Sequence, residues 1–206
     1  MLEFSYLDIS GSMGLVASGA LTFNVILGMF LSTNFKTTTY WKKLPPIVKK
    51  YPIIKYHNFT AYIAFCSIVL HLIFLFLYKE PGFSIDILLT PLAVPKQPNI
   101  VLLGVIGFYG LIIVLISSQK IIRKKLGFNT WKRIHLISYL TSLAFLIHGL
   151  LMDPLLKDRP TDWLDAEKFF SEGLVIVFLV AVFIRIRIHF NQKKNSLKPS
   201  SIVKRV

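Results

Sequence analysis

The feature that most restricts this chain is a series of long apolar blocks separated by short polar runs. A helix in water needs one wet face, so its apolar residues recur at helical spacing and do not fill a block. Here 54% of the residues are hydrophobic and 17% are charged, the balance of a chain dissolved in lipid. A helix rises about 1.5 Å per residue, so roughly 20 apolar residues cross the hydrocarbon core. Five blocks approach that length: Ser12–Ser32, His57–Tyr78, Asn99–Ser118, Trp131–Met152 and Glu172–Ile188. All are predicted helices, because a lone strand in lipid leaves its backbone groups without partners. The expected fold class is therefore all-α, an integral membrane bundle of about five transmembrane helices.

The stretch Phe83–Pro98 is also apolar, but Pro91, Pro95 and Pro98 interrupt it. It is too short to span and reads as a surface or re-entrant segment. The chain starts with Glu3 and Asp8 and no Lys or Arg before the first block. A secretory signal starts basic, so the first block is expected to be a mature span. The one cysteine, Cys66, lies within an apolar block and is expected to be a small core residue.

Loop charges predict an orientation. Lys36, Lys42, Lys43, Lys49, Lys50 and Lys55 join the first two blocks with no acid among them. Lys120, Arg123, Lys124, Lys125, Lys132 and Arg133 do the same between the third and fourth. Arg185, Arg187, Lys193, Lys194, Lys198, Lys204 and Arg205 follow or close the fifth. The loop at 79–98 is nearly neutral, and Asp153–Glu172 carries six acids. By the positive-inside rule the N-terminus is outside and the C-terminus cytoplasmic. The formal net charge of +14 is thus a topology and lipid-headgroup signal, and no nucleic-acid partner is expected. No sequence repeat is apparent, and residues 191–206 read as a basic, disordered cytoplasmic tail after a membrane domain at 1–190.

Ionisable groups inside a span usually mark function. His57 and His71 stand 14 residues apart in the second block, and His135 and His148 stand 13 apart in the fourth. Both blocks enter from the same side, so each offers one histidine near that face and another roughly 20 Å deeper. Two facing imidazoles at one depth suit a planar macrocycle with axial ligands, and histidine is a usual axial ligand of heme iron. Interhelical hydrogen bonding is the simpler reading of one such histidine, and four at paired depths weigh against it. Zinc or copper needs its ligands within about 2 Å of one ion, which residues 20 Å apart on a helix cannot supply. A 14-residue step keeps His57 and His71 on one face, whereas 13 residues fall about 140° short of whole turns. Either the fourth span is distorted between its histidines or the two macrocycles are offset. His189, at the end of the fifth span, reads as an interfacial solvated side chain.

This pattern, with Trp131-Lys132-Arg133-Ile134-His135, Tyr139 and then His148, resembles the ferric reductase-like transmembrane domain over roughly residues 12–190. That family includes the membrane parts of NADPH oxidases and ferric-chelate reductases, and the heme-binding subunit of the bacterial methionine-sulfoxide reductase system. The resemblance implies two b-type hemes, an inner one on His57 and His135 and an outer one on His71 and His148. The oxidases have six spans and a cytoplasmic flavin and nicotinamide domain, whereas this sequence has five blocks and no Gly-rich nucleotide motif. The expected function is therefore transmembrane electron transfer from a cytoplasmic-side donor, a separate flavoprotein or quinol, to an outside acceptor or redox partner. The expected location is a bacterial inner membrane. Two alternatives stand beside it: a self-sufficient reductase or superoxide-producing oxidase with a bound flavin, and a heme-free transporter or anchor. A transporter gathers its polar groups near the midplane, often at a broken helix.

Heme propionates need cations, and Lys132 and Arg133, with Lys55, flank the inner histidines; the plainer reading is a solvated basic loop. Tyr56 and Tyr139 are within reach of the same depth. Gly14, Ser18, Gly19, Gly104 and Gly107 permit close helix approach, which ordinary packing explains as well. The acidic segment 153–172 is a solvated loop or a surface for a cationic partner.

Overall fold

The computed structural model describes residues 5–33, 39–43, 45–50, 52–78, 83–94, 97–156 and 166–196. They form helices and turns with no strand among the described residues. Helix α1 runs Tyr6–Ser32, and short helices α2 (Thr39–Lys43) and α3 (Pro46–Lys49) lead to α4, Ile53–Leu77. Two 3-10 turns, Ile85–Leu88 and Pro91–Ala93, precede α5 at Pro98–Ser118. Then follow α6 (Lys120–Leu126), α7 (Phe128–His135), α8 (Ile137–Leu156) and α9 (Ala166–Ser196). Among the described residues five helical runs are long and apolar enough to cross a membrane: Tyr6–Ser32, Ile53–Leu77, Pro98–Ser118, Phe128–Met152 and Glu167–Phe190.

The helix ends explain where the predicted blocks were short. Ser5 accepts the Asp8 amide and Asp8 accepts the Ser5 amide, each at 3.2 Å, so α1 starts at Tyr6 and not at Ser12. This capping box satisfies two N-terminal amides that lipid could not. Pro98 takes the first turn of α5, where its missing N–H costs nothing, and Gln97 turns the chain with a left-handed φ of 52°. Gly127, at φ 74°, separates α6 from α7. The fourth span is broken: α7 ends at His135 and α8 begins at Ile137. Helix α9 continues through Ser196, so residues 191–196 extend the helix; residues 197–206 lie outside the described residues.

Helix α1 packs along α4, α5 packs along α8, and α1 also bridges to α8 and α9. One core cluster joins Ala17, Leu21, Ala64, Ile68 and Leu111, and a second joins Val25, Met29, Leu146 and Phe178. The large apolar side chains Phe59, Leu140, Ile176 and Phe183 are 62%, 69%, 62% and 65% exposed, an outward face suited to lipid tails. Cys66 belongs to that outward face. The expectation of a core cysteine is thus corrected; its side of α4 is turned away from α1.

The segment Phe83–Val94 does not cross the bundle. Phe83 and Val94 bury against Val101 and Val105 of α5, and the Tyr109 hydroxyl donates to the Leu88 carbonyl at 3.0 Å. A hairpin of two 3-10 turns thus lies across one end of the helices, as a surface segment.

Candidate functional site: two histidine pairs between helices

The four histidines meet in two pairs. His57 of α4 faces His135 of α7 with ring centroids 6.0 Å apart, and His71 faces His148 of α8 at 6.5 Å. The neighbouring contacts fix the helix directions. Asn24 meets His57 and Ser10 meets His71, so α1 and α4 are antiparallel. Ser118 meets His135 and Ile100 meets His148, so α5 and the α7–α8 line are antiparallel too. The basic segments consequently gather at the His57/His135 end, here called the basic end, and His71/His148 stands at the far end. The fourth span is interrupted between its histidines. Leu136 bonds back to Lys132 at 3.1 Å and Tyr139 bonds to Leu136 at 3.2 Å, a tightened turn that changes the helical phase between them. The distortion expected as one alternative is therefore present.

Each ring is held on the side away from its partner. The Nδ1 atoms of His57, His71 and His148 lie 3.1, 2.8 and 2.8 Å from the carbonyls of Asn24, Ser10 and Ile100. A carbonyl only accepts, so these Nδ1 atoms carry the proton and a neutral ring keeps its Nε2 lone pair free. His135 differs: its Nδ1 lies 3.2 Å from the Ser118 hydroxyl, which also accepts the Trp131 indole N–H at 3.4 Å. A hydroxyl plays either part, so Ser118 permits that tautomer and does not impose it. Trp131 stacks on His135 with centroids 5.0 Å apart, and the Arg123 guanidinium sits 5.4 Å from the indole centroid.

A helical carbonyl is normally covered by the side chain four residues on, because Cβ bonds tilt toward the N-terminus. Glycine four residues after the acceptor removes that cover. Gly14 follows Ser10, Gly28 follows Asn24, and Gly104 follows Ile100. An added Cβ would stand 3.5 Å from His71 Nδ1 at Gly14, 3.2 Å from His57 Cε1 at Gly28, and 2.8 Å from His148 Cε1 at Gly104. Gly14 and Gly104 therefore bear directly on the rings. Gly107 faces Phe145, and Gly19 faces Phe170, as packing residues. Sequence reading missed Ser10, Asn24, Gly28, Ile100 and Ser118. The signal was present: Ser10 to Asn24 and Gly14 to Gly28 both repeat the 14-residue step from His57 to His71. Asn24 also donates its amide to the His57 carbonyl and to Thr60 Oγ1, as Ser10 Oγ donates to the His71 carbonyl at 2.9 Å.

The flanking cations hold no ring. Lys55, Lys132 and Arg133 are exposed, with the Lys132 ammonium 5.9 Å from the Phe128 centroid. His189 is exposed as well. Tyr139 packs against the second core cluster, as do Ala181 and Val182 of α9.

The family model for the ferric reductase like transmembrane component matches residues 13–150, a run that holds both pairs. The chain belongs to this family. Its five apolar helices are accordingly membrane spans, and the molecule is a multi-pass membrane protein in contact with lipid. Helix α9 lies beyond the match. Comparison with curated proteins and with solved structures returns no match.

The residues present fit a heme at each pair. No group of three or more His, Cys, Asp or Glu suited to one ion occurs among the described residues. Two protein ligands suit an ion whose remaining positions a macrocycle fills. A metal–imidazole bond is roughly 2.0 Å and a ring nitrogen lies about 1.1 Å from its centroid, so two opposed rings stand about 6.2 Å apart. The observed 6.0 and 6.5 Å bracket that value. At the far pair a cavity is lined by His71, His148, Phe108, Phe145, Gly14 and Gly104.

Proposed function

We propose that this chain carries electrons across a membrane through two b-type hemes, His57 with His135 holding one and His71 with His148 the other. The observation that carries this reading is the opposed arrangement of each pair, with Nδ1 tied to α1 or α5 behind the ring. Bound heme iron supplies a reversible one-electron couple. The chain's own residues do the rest. Ser10, Asn24 and Ile100 hold three imidazoles in the tautomer that presents Nε2, and such outer partners raise ligand basicity. Apolar side chains of α1, α4, α5 and α8 form a core cluster between the two depths. Each pair would hold its heme from both faces, and the heme so held would supply outer-sphere electron transfer to the acceptor.

The basic loops support a cytoplasmic basic end, with donor below and acceptor outside. An inside-negative potential then favours outward transfer by about 2.3 kcal/mol per 100 mV for a full crossing. The donor is a flavoprotein or a quinol, and the host membrane a bacterial inner membrane. Trp131, stacked on His135 beneath Arg123, is the natural shoulder for electron entry.

The test is a reduced-minus-oxidised spectrum with a heme-to-protein ratio on the purified chain. A b-type spectrum at a ratio near two is expected. His71→Ala or His148→Ala should lower it to one and stop delivery to an outside acceptor. A stable, heme-free wild type overturns the reading, and delivery that survives both substitutions removes the far-end role.

A further inference from the structure

We propose that Ser118 and Trp131 are positioning residues for His135, and that through it they set the potential and the ligand plane of the basic-end heme separately from those of the far-end one. The proposal rests on the function proposed above. At His57, His71 and His148 a backbone carbonyl stands against Nδ1, a partner that any residue can supply. At His135 that place is taken by the Ser118 hydroxyl, 3.2 Å from Nδ1. His135 also stands where its own helix supports it least, since α7 ends there and α8 starts only at Ile137. The ring therefore depends on side chains for its position, and side chains are what a substitution can change.

The hydroxyl's bonding capacity fits that task. A serine oxygen has two lone pairs and one proton. It accepts the Trp131 indole N–H at 3.4 Å, which leaves one lone pair for a second donor. When Nε2 serves a metal, a neutral His135 carries its proton on Nδ1, and two ring N–H groups then fill the two lone pairs. Trp131 precedes His135 by four residues, so both rings lie on one face of α7. Their planes meet at 29° with centroids 5.0 Å apart, and the Arg123 guanidinium lies 5.4 Å over the indole. The stack limits the tilt of the imidazole, and the hydrogen bond limits its rotation within the stack. The backbone makes this contact possible: Gly127, at φ 74°, turns the chain so that α7 folds back on the last residue of α5, which is Ser118. The rings of the basic-end pair cross at 64° and those of the far-end pair at 85°.

An acceptor at Nδ1 makes the other ring nitrogen more basic, and a more basic ligand favours ferric iron. The full chain in nanodiscs gives three readouts. Potentiometric titration reads the midpoints, and electron paramagnetic resonance reads the angle between the imidazole planes at each ferric heme. NMR of a chain isotope-labelled at histidine and tryptophan reads the ring N–H groups with or without heme. Ser118→Ala is expected to raise one of two midpoints by about threefold to tenfold in its reduction equilibrium, tenfold being about 59 mV for one electron. Ser118→Thr, which keeps a hydroxyl, restores most of that shift. Trp131→Phe removes the competing N–H and lowers the same midpoint, while Trp131→Leu removes the stack and moves one of two resonance signals. Thr130→Ala, at an exposed neighbour in α7, changes none of these. If Ser118→Ala loses the basic-end heme on purification, Ser118→Thr and Trp131→Phe read the same midpoint. A Ser118→Ala chain with unchanged midpoints and unchanged ring N–H signals overturns the proposal. So does an equal shift at both hemes, which marks a general loosening of the bundle. A heme-free wild type defeats the function proposed above, and the ring N–H signals then decide whether Ser118 and Trp131 position His135.

Discussion

At the residue scale, the tightest contact on a histidine is the one between Gly104 and His148. A Cβ at Gly104 would stand 2.8 Å from Cε1 and 2.9 Å from Nδ1, so alanine must push the ring off the Ile100 carbonyl. Gly104→Ala is expected to lower the heme-to-protein ratio from about two toward one, with the basic-end spectrum retained. Gly173 has nothing within 4 Å of an added Cβ, and Gly173→Ala should keep both hemes. Loss of heme in both variants would mean that the effect is helix stability and not ring position. The histidines themselves were legible in the sequence, because four imidazoles at paired depths in apolar blocks weigh against simple interhelical hydrogen bonding. Their acceptors were not. A backbone carbonyl has the same identity at every residue, so only the glycine four positions on betrays which one is used, and glycine is common at helix contacts.

At the element scale, the fourth span is interrupted at Leu136, between its two histidines. On a straight helix, 13 residues leave His148 about 140° out of phase with His135. One residue inserted after Leu143, within α8, turns everything beyond it by about 100° and shifts it about 1.5 Å. That insertion is expected to remove the far-end heme and spare the basic-end one, read as one midpoint where the parent chain has two. Retention of both would show that the phase of α8 does not govern ligation. Sequence alone set the mismatch without choosing its resolution, because no Pro or Gly lies between His135 and His148 to announce a break. Element positions were otherwise close. The shortfall at α1 came from a capping box, whose polar Ser5 and Asp8 lie outside any apolar count.

At the scale of the whole molecule, the charge pattern makes a prediction about sides. In a Cys66→Ser background, a single cysteine at exposed Asn129 should react with a membrane-impermeant maleimide only from the cytoplasmic face. One at exposed Ser84 should react only from outside. The reverse pattern would invert the proposed direction of electron flow. Cys66 must be removed because its side chain is exposed on the outward face of α4. Lipid contact explains that exposure: in a thin bundle most of each helix faces tails, and an apolar residue gains nothing by turning inward.

The sequence by itself determined that this chain is a membrane bundle, roughly where its helices run, and that four histidines occupy two depths. Those properties follow from hydropathy, length and helical rise, which are local. Tertiary structure alone decided that the rings oppose each other at 6.0 and 6.5 Å, and that α1 and α5 hold their far nitrogens. Each of these depends on which helix faces which and in what rotation. In lipid that choice rests on close packing at glycines and on hydrogen bonds between helices, not on a hydrophobic stripe readable along one chain segment.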